Sequence, residues 1–580
     1  MLSTDTMRTV NRTSPIWALI AVLCLLGASP ALHAAKGDLK RISRVKDPLE
    51  VATLLNMWLN QQMNFNLEKD DHLQLVGLLT KGGNQHFCTQ VAALYDRMLP
   101  LADHLVLSRP GQYAAANMLA THAVMLHCWE RKAKQLPETL EEGKKVTWQS
   151  MPGISDTKHL SELLITLLES RDEETRTAAA VAAAYYVPDS SELEAAMAKV
   201  PAETGPILGA KLLYEARRTY SIDRKLAELA FTVEKDQPKP ISKMSPLICG
   251  NSVITPAAAM AAEALSIMEQ SLDDPLLEML QTELNENEDI RVQIEAARAL
   301  GRIRNPGSAP HLLARLNNEC AWPVFLEACL ALTQCRNKEV IPGLFELLKG
   351  SSGRMRQHLL YALSAMAGNQ YGRVTFDDWH SWWEQNGPTF ELDDAASETY
   401  LSTYSVKDVS VNAKANFYSM PIVSERLVFV LDRSGSMTEG TKFGTLVENM
   451  KTTIADLEQG THFNIISYAH DIDSWSKGLS TDRRGGFAYV DKMQAIGGTN
   501  IYDSGFTGVM TGAATAIYML TDGEPIAGVF QDWTDITASF ILFNRYRPLT
   551  FNTVAIETEA KTAQAMQQLS LMTNGDHMTF

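Results

Sequence analysis

The sequence predicts a multidomain protein, with an all-α solenoid of helical repeats followed by a C-terminal α/β domain built on a doubly wound sheet. Two observations support this fold class. The middle of the chain repeats itself at a constant offset, which is typical of stacked helix pairs. The last quarter alternates continuous apolar runs with helical periods, which is typical of a parallel sheet covered by helices. At 580 residues the chain is too long for one core, so we expect several structural units.

The composition excludes some function classes. Apolar residues make up 45% of the chain and charged residues 21%, as in ordinary globular proteins. The formal net charge of −16 argues against nucleic-acid binding, because recognition of phosphates needs clustered Lys and Arg. We therefore expect no nucleic-acid partner.

The N-terminal segment, residues 1–35, has the pattern of an export signal. Arg8 and Arg12 precede an apolar stretch over residues 16–27, and small residues follow, ending at Ala35. The apolar stretch is too short for a comfortable membrane span. The segment therefore predicts a secreted or cell-envelope protein, periplasmic or extracellular, and an uncleaved membrane anchor is the alternative.

The cysteines do not form a recognisable metal or redox motif. The chain has seven, one of them inside the predicted signal, and no two lie at C-x-x-C spacing. Cys329 and Cys335 fall at positions typical of a helix interior, where a free Cys behaves as a small apolar residue. Cys88 and Cys128 could pair in an oxidising compartment, and the sequence leaves this open.

The region from residue 271 to 370 repeats a pattern of helix pairs. Residues 295–300 are matched by residues 327–332, and a third copy of this helix lies at 358–363. Amphipathic helix pairs with a proline near the start of the first helix resemble HEAT-type repeats. The same offset relates three further pairs of residues: Arg304 and Arg336, Pro310 and Pro342, and Leu312 and Leu344.

The preceding region, residues 36–270, is expected to be mainly helical and repeat-like. An Ala-rich segment that follows Arg171 and runs to Tyr186 looks like a further copy. Stacked repeats bury one face against their neighbours and present an extended surface. The surface has two possible roles: a second docking surface or rigid arm, or simple spacing and support for the C-terminal domain.

Residues 371–391 contain three closely spaced tryptophans and predict a capping helix that covers the open apolar end of the repeats. Binding of a sugar or peptide by these rings is the alternative. His380 among them is expected to be a surface or capping residue and not a metal ligand. Residues 392–420 are rich in Asp and Ser and predict a polar linker.

The C-terminal domain, residues 421–580, is predicted from apolar runs that are long enough for strands buried on both faces. A helical period lies between the first two runs, ending at Leu457. Ligands of doubly wound sheets bind beyond the carboxyl ends of the strands, where Asp432 and Asp522 fall. The runs occupy residues 427–431, 463–468, 517–520 and 551–556.

Three short polar motifs adjoin these predicted strands. Together they offer two carboxylates and three hydroxyls, which are the oxygen ligands of a hard divalent cation, and they lack the His and Cys that indicate zinc or copper. The motifs are Asp432-Arg433-Ser434-Gly435-Ser436, Gly498-Thr499 and Thr521-Asp522-Gly523.

With these motifs the segment from about residue 424 to 580 resembles the von Willebrand factor A (vWA) domain, whose metal-ion-dependent adhesion site is written Asp-x-Ser-x-Ser, then Thr, then Asp. The resemblance implies Mg²⁺ as the usual ion, with Mn²⁺ or Ca²⁺ as alternatives. It also implies an open coordination position that an Asp or Glu of a protein partner fills. The metal ligands implied, direct or through water, are Asp432, Ser434, Ser436, Thr499 and Asp522.

Two features depart from the family pattern. Residues 502–517 contain three glycines, which predicts a weak helix at that position. The chain also ends at Phe580 in what the pattern predicts to be the last strand, without an obvious closing helix. Arg433, between two predicted ligands, is expected to point away from the ion and to affect selectivity at most. The competing interpretation of the Asp-x-Ser-x-Ser motif is a polar turn whose side chains cap a helix.

The sequence favours a protein that is not an enzyme. It contains no H-E-x-x-H, G-x-S-x-G or G-x-x-x-x-G-K-[ST] motif. We expect a metal-dependent protein-binding or adhesion protein of the cell envelope or exterior, with the repeats as scaffold or second docking surface. One alternative is a non-catalytic subunit that works with a separate ATPase, as in magnesium chelatases. A metal-dependent hydrolase is less favoured. Asp432 and Asp522 could also form an acid–base pair as in glycoside hydrolysis, but the hydroxyls around them favour a metal site, where both carboxylates stay ionised.

Overall fold

The computed structural model forms two compact units, Met1–Met63 and Asn64–Phe580. No helix that it describes is long and apolar enough to cross a membrane. The predicted export signal and the residues Cys88 and Cys249 lie outside the described part of the chain, as does most of the predicted linker. The structure describes residues 38–46, 48–61, 69–80, 94, 97–139, 145–201, 205–233, 238, 253–268, 274–317, 320–368, 372–392 and 413–580.

The first unit contains two described helices, α1 (Asp38–Ile42) and α2 (Pro48–Gln61). They pack against each other. Leu39 of α1 and Leu55 of α2 are buried, as expected for helices with one apolar face.

The second unit begins with a large helical region in which consecutive helix pairs stack side by side. Seven of its helices form a continuous row, each packed against the next, and we call this the inner row. The inner row is α5 (Arg109–Ala133), α7 (Glu173–Tyr186), α9 (Gly205–Thr219), α11 (Ala257–Leu265), α13 (Ile290–Ile303), α15 (Trp322–Cys335) and α17 (Gly353–Ala367).

The other helices of this region pack on the inner row and on one another, so the described helices form two layers. This confirms a mainly helical region, whereas its assignment to the HEAT type stays a prediction. The remaining helices are α3 (Lys69–Thr80), α4 (Met98–Leu105), α6 (Thr157–Leu168), α8 (Ser191–Lys199), α10 (Arg224–Thr232), α12 (Asp274–Glu286), α14 (Ala309–Arg315) and α16 (Ile341–Glu346).

The repeat offset that the sequence shows is reproduced in the backbone. Arg304 and Arg336 end α13 and α15 in the left-handed conformation, with φ of 56° and 50°. The next residues, Asn305 and Asn337, each cap a short 3₁₀ helix by accepting a backbone N–H two residues on. Left-handed non-glycine residues are uncommon, so their recurrence at the same offset shows that the two units share one local structure. Cys329 and Cys335 lie buried in α15, as predicted for residues of a helix interior.

The Trp-rich helix is α18 (Phe376–Asn386), and it packs on α16. It begins with a capping box in which Thr375 and Asp378 exchange side-chain and backbone hydrogen bonds. Trp379 is fully buried, and the Arg373 guanidinium lies 4.4 Å from the centre of its ring. His380 is half exposed, which agrees with the expected surface position.

The C-terminal domain starts earlier than residue 421. Residues 416–421 form a small antiparallel hairpin of β1 (Asn416–Phe417) and β2 (Met420–Pro421). Phe417 and Met420 are fully buried in the core of the domain. The end of the predicted linker is therefore part of the folded domain, because alternate apolar side chains of this short segment cover one edge of the core.

A six-stranded sheet forms the centre of this domain, in the order β5-β4-β3-β6-β7-β8. Every pair is parallel except β4 with β5. Three of the four predicted runs fall inside strands, the fourth extends one residue past β7, and all four are buried, as a doubly wound sheet requires. The strands are β3 (Arg426–Asp432), β4 (His462–Tyr468), β5 (Ile472–Ser474), β6 (Ala516–Thr521), β7 (Thr550–Ala555) and β8 (His577–Thr579).

Helices cover both faces of the sheet. Leu446, Met450 and Ile454 of α19 (Lys442–Asp456) pack with the β1–β2 hairpin and α20 (Arg483–Val490) on one face. The opposite face meets α21 (Ile501–Met510), α22 (Trp533–Phe543) and α23 (Ala560–Met572).

The glycine-rich stretch forms a regular helix, α21, and the expectation of a weak helix there was wrong. Its glycines permit close packing. A Cβ on Gly505 would lie 2.7 Å from the Phe540 ring and 2.8 Å from the Met519 methyl group, and one on Gly508 would lie 3.2 Å from Val430. Tertiary packing therefore outweighs the low helix propensity of glycine at this position.

The helical region holds the domain at what we call the amino edge of the sheet, where β6 and β7 begin. Arg354 of α17 donates to the backbone oxygen of Thr515 and, at 2.5 Å, to the hydroxyl of Thr550. Trp322 of α15 donates to the Pro548 oxygen at 3.5 Å. The inner row thus contacts the chain's own C-terminal domain, which favours its predicted role as support.

The most buried charges of this contact surround Arg545, which follows α22. Arg545 donates to the hydroxyl of Tyr185 at 2.5 Å and to the carboxylate of Glu263 at 3.0 Å. Arg298 of α13 donates to the Arg545 backbone oxygen at 3.0 Å and pairs with Glu327 at 2.6 Å. Arg545 and Glu263 are only 3% and 4% exposed, so their pairing compensates much of the charge of each. Glu263 also contacts His127 at 2.8 Å.

Candidate metal centre

The three polar motifs meet at what we call the carboxyl edge of the sheet, where β3 and β6 end. Backbone hydrogen bonds join the loops that carry them. Gly435 donates to the Gly497 oxygen at 2.9 Å, which ties the loop after β3 to the loop before α21. The Thr499 oxygen accepts from Ile526 at 3.0 Å, which ties that loop to the one after β6.

Four of the five predicted ligands contact one another directly. The hydroxyls of Ser434 and Ser436 lie 3.0 Å apart, and Ser436 donates to a carboxylate oxygen of Asp522 at 2.7 Å. Asp432 accepts the Ser434 backbone N–H at 2.7 Å. These hydrogen bonds bring two sequence-distant carboxylates and two hydroxyls to one position, as the strand pattern predicted.

Thr499 is placed beside this cluster by its backbone alone. Thr499 is 5% exposed. Within the described residues its side chain makes no hydrogen bond, and its backbone oxygen makes the contacts with Ile526 and Ala527. The loop that carries Thr499 is therefore joined to both other loops, whereas a ligand role of its hydroxyl stays a prediction.

Asp432 is completely buried, and its environment changes the pKa of its carboxyl group. Burial raises the pKa of its carboxyl to about 6, although hydrogen bonds from Thr521 and Ser434 act in the opposite direction. The negative charge of Asp522 is a smaller part of the same increase in the pKa. The Thr521 hydroxyl donates to Asp432 at 2.6 Å, and the Tyr468 hydroxyl donates to it at 3.4 Å. A nearby cation would therefore stabilise the ionised form of Asp432.

Lys442, at the start of α19, is a participant that the sequence pattern did not indicate. Its ammonium donates to Asp522 at 3.0 Å and is almost fully buried. It also lies 3.5 Å from Glu439 and 3.6 Å from Glu557. Burial lowers the pKa of Lys442, but its hydrogen bond to Asp522 and the three carboxylates outweigh burial, so this pKa lies above the ordinary value. Lys442 belongs to none of the three motifs. Its position at the start of a predicted helix is the only feature of the sequence that could have indicated it.

Arg433 points away from the ligand cluster, as expected. Its guanidinium donates to Asp471 at 2.7 Å and to the Ser467 hydroxyl at 3.2 Å. Its charge is therefore balanced outside the metal centre.

The donor set fits a hard divalent cation. Two carboxylates and three hydroxyls are oxygen donors of the kind that Mg²⁺ takes together with water. Among the residues that the structure describes, no group of three or more His, Cys, Asp or Glu side chains could hold a metal ion. A cation at this centre would therefore depend on the hydroxyls of Ser434, Ser436 and Thr499 as well as on the two carboxylates.

Together, the sheet order, the helices on both faces and the Asp-x-Ser-x-Ser turn after the central strand β3 define a vWA-like domain. The fold comes from the chain's own topology, in which β3 lies between β4 and β6 and its carboxyl end carries the turn. The position of the candidate metal centre agrees with the rule for ligands of doubly wound sheets.

Part of the chain is similar in sequence to heavy chains of the inter-alpha-trypsin inhibitor. Heavy chain H2 of Sus scrofa is 30% identical over 129 residues, which is 20% of this chain and 14% of that protein. Heavy chain H6 of Homo sapiens is 31% identical over 148 residues, which is 22% of this chain and 10% of that protein. The chain thus spans a small part of the length of these curated relatives. No protein-family model matches it.

Similarity to solved structures is weak. A von Willebrand factor type A protein from Catenulispora acidiphila is 20% identical with a TM-score of 0.24, over 28% of this chain and 39% of that one. The RO (RSR) protein of Deinococcus radiodurans is 11% identical with a TM-score of 0.17, over 98% of this chain and 95% of that one. Scores this low carry no argument about function.

Proposed function

We propose that the chain is a metal-dependent protein-binding protein. In this proposal the vWA-like domain holds a divalent cation, Mg²⁺ in the first place, which bridges to an acidic side chain of a protein partner. The helical region supports the domain from its amino edge, and the chain acts without catalysis. Residues 1–35 would direct it to the cell envelope or exterior.

The convergence of oxygen donors at the carboxyl edge carries this proposal. Ser434, Ser436 and Asp522 form a connected set with separations of 3.0 and 2.7 Å. Asp432 behind them is buried and orients Ser434 through its backbone N–H. A divalent cation on these oxygens would balance both carboxylates, and Mg²⁺ retains exchangeable waters that a partner carboxylate can replace.

The surroundings of the centre support a protein partner. The loops that carry the ligands expose two large apolar side chains, Ile496 at 49% and Ile526 at 63%. Ile526 lies next to Gly498, since its side chain would be 3.4 Å from a Cβ there. An apolar rim beside a cation suits an acidic residue set in an apolar protein surface. The relatives are named as heavy chains of a trypsin inhibitor, which also agrees with a role in protein interaction.

The location of the centre also supports this role. The helical region contacts the amino edge through Arg354, Trp322 and Arg545, and the candidate ligands lie at the opposite ends of the same strands. The support and the binding surface therefore use different edges of the sheet.

The first test is thermal unfolding of the full chain in EDTA and in millimolar Mg²⁺. If Mg²⁺ binds with a Kd of ~10 μM, a hundredfold excess adds about 2.7 kcal/mol to the free energy of unfolding. We expect this stabilisation in the wild type and its loss in Asp432→Ala and in Asp522→Asn. Asp456→Asn, at the exposed end of α19, is the matched control and should keep it.

The partner is tested separately from the metal. A protein captured on the full chain in Mg²⁺ should be released by EDTA, fail to bind Asp522→Asn, and bind Ile526→Ser more weakly. Binding that persists in EDTA or with Asp432→Ala would remove the metal bridge from the proposal. Ala replaces a fully buried carboxylate in that variant, so circular dichroism must first show that it is folded.

A further inference from the structure

A second polar centre lies on the far side of the vWA-like domain from the metal centre, where the helical region meets the amino edge of the sheet. It is a cavity of about 40 Å³. Its lining comes from both regions: Arg131 and Lys132 of α5, Arg298 of α13 and Glu327 of α15, together with Arg545 after α22. None of these residues takes part in the proposed metal site.

The charges of the lining do not balance. Four of the lining side chains are cationic and one is a carboxylate. That carboxylate, Glu327, is already paired with Arg298 at 2.6 Å, and Arg298 also pairs with Glu295 at 2.9 Å. Arg545 is paired with Glu263 at 3.0 Å. The acidic groups around the cavity are therefore used by Arg298 and Arg545.

Among the described residues, Arg131 and Lys132 have no carboxylate at ion-pair distance, although the charge of Glu327 acts on both. Within the described part of the chain, neither side chain makes a hydrogen bond or an ion pair. Burial, with the positive charges of Arg131 and Arg298, lowers the pKa of Lys132 to about 8, although Glu327 acts in the opposite direction. Two adjacent cations that share a cavity with two others repel one another, and a bound anion would relieve this repulsion while both stay charged.

We propose that this cavity binds a small tetrahedral oxyanion such as phosphate or sulfate, held by Lys132 and Arg131 and shared with Arg298 and Arg545. The volume is about three times what a single water needs, which leaves room for a small anion. Arginine suits this ligand, because its planar guanidinium offers several N–H donors to oxyanions. Since α5 and α13 belong to the helical region and Arg545 to the vWA-like domain, the anion ties the two together.

The test uses the full chain in EDTA, so that no metal contributes. Phosphate, then sulfate, is titrated against chloride at constant ionic strength, and binding is followed by isothermal calorimetry and by the midpoint of thermal unfolding. We expect one phosphate per chain and an upward shift of the midpoint that chloride does not produce. Lys132→Gln and Arg131→Gln should each weaken phosphate binding about tenfold or more, the loss of one charged hydrogen bond.

Lys134→Gln is the matched control, because it removes the same charge from an exposed side chain directly after the end of α5. It should bind phosphate as the wild type does. Absence of phosphate and sulfate binding by the wild type overturns the proposal, whatever the variants do. Binding that is equally strong in Lys132→Gln and Arg131→Gln overturns it as well. Neither result bears on the metal centre, which is tested with Mg²⁺ and with other residues.

Discussion

Buried charges at the two edges of the central sheet are compensated in different ways. At the amino edge, Arg545 is balanced within the chain by Glu263, and both are almost fully buried. At the carboxyl edge, Asp432 is equally buried, yet its nearest groups are the hydroxyls of Thr521 and Tyr468 and the backbone N–H of Ser434. At the amino edge the buried charge is balanced by other residues of the chain. At the carboxyl edge, within the described residues, the Asp432 carboxylate has no cation beside it.

This difference separates a structural interface from a binding centre. Buried ions that are paired inside the chain hold regions together and need nothing from solution. A buried carboxylate supported only by neutral donors keeps an altered pKa and favours the uptake of a proton or a metal ion. The same comparison explains the cavity beside Arg131 and Lys132, where the unbalanced charge is positive and an anion is expected.

The largest effect is expected from the amino edge. Arg545→Ala leaves Glu263 buried without its guanidinium, and removal of one partner of a buried pair costs about 3–5 kcal/mol of unfolding free energy. Urea unfolding of the full chain should show this loss. Arg224→Ala, which breaks the exposed pair with Glu228, is the control and should change stability by less than about 1 kcal/mol. Equal effects of the two variants would show that the Arg545 interface is not stabilising.

The second effect is a pH dependence at the carboxyl edge. In the folded protein without metal the pKa of Asp432 is about 6, above its ordinary value of 3.8, so between these values the folded state binds more protons than the unfolded state. The contribution of Asp432 to stability is therefore complete below about pH 4 and lost as pH rises through about 6. The loss amounts to about 3 kcal/mol for a shift of about two pKa units.

The measurement is urea unfolding in EDTA across this pH range, for the wild type and for Asp432→Asn. The variant cannot titrate at this position and should lack the corresponding fall in stability. In the wild type Mg²⁺ should stabilise more at about pH 7.5 than at about pH 5, because the proton and the metal compete for the same carboxylate. Identical pH profiles of the two proteins would contradict the assignment.

A smaller effect is expected from Lys442. Its ammonium pairs with Asp522 at 3.0 Å and should compete with a divalent cation. Lys442→Met should therefore tighten Mg²⁺ binding about tenfold, as measured by calorimetry. Lys451→Met, on the same helix and paired with Asp491 instead, is the control and should bind Mg²⁺ as the wild type does. Weaker binding in Lys442→Met would mean that the lysine helps to hold the ligands.

The smallest effect is expected from Arg433, although it lies between two predicted ligands in the sequence. Its guanidinium is bonded to Asp471 and Ser467, away from the centre. Arg433→Gln should change the Kd for Mg²⁺ by less than about threefold, since the charge of Arg433 is balanced by Asp471 and not by a candidate ligand. A large loss of Mg²⁺ affinity would show that its charge acts on the centre through the loop.

Local patterns were enough to predict the sheet and most of the candidate centre. The apolar runs placed Asp432 and Asp522 at neighbouring strand ends, and the structure brings them to one position through Ser436. Such positions are predictable because parallel strands end at one edge of the sheet. The repeat offset likewise predicted the matching ends of α13 and α15 at Arg304 and Arg336.

Other features depend on contacts that no local pattern encodes. Lys442 is an ordinary helix-start residue until the fold places it beside Asp522, 80 residues away. The glycines of α21 have low helix propensity, but the sequence does not show that Phe540 and Met519 occupy the space where a side chain at position 505 would lie. The β1–β2 hairpin was predicted as linker because polar residues surround Phe417 and Met420 in the sequence, so the pattern does not indicate that these two residues belong to the core.

The separation of Arg545 from its partners along the chain has a consequence for synthesis. Arg545 follows Glu263 by 282 residues and Tyr185 by 360. The helices that carry these partners leave the ribosome long before Arg545 is made, so Glu263 then has its final neighbours but lacks the guanidinium. The inner row can reach its native charge balance only after the last helices and strands have been translated. During synthesis, the helical region therefore presents an incomplete charged interface, which is completed when the C-terminal domain of the same chain packs against it.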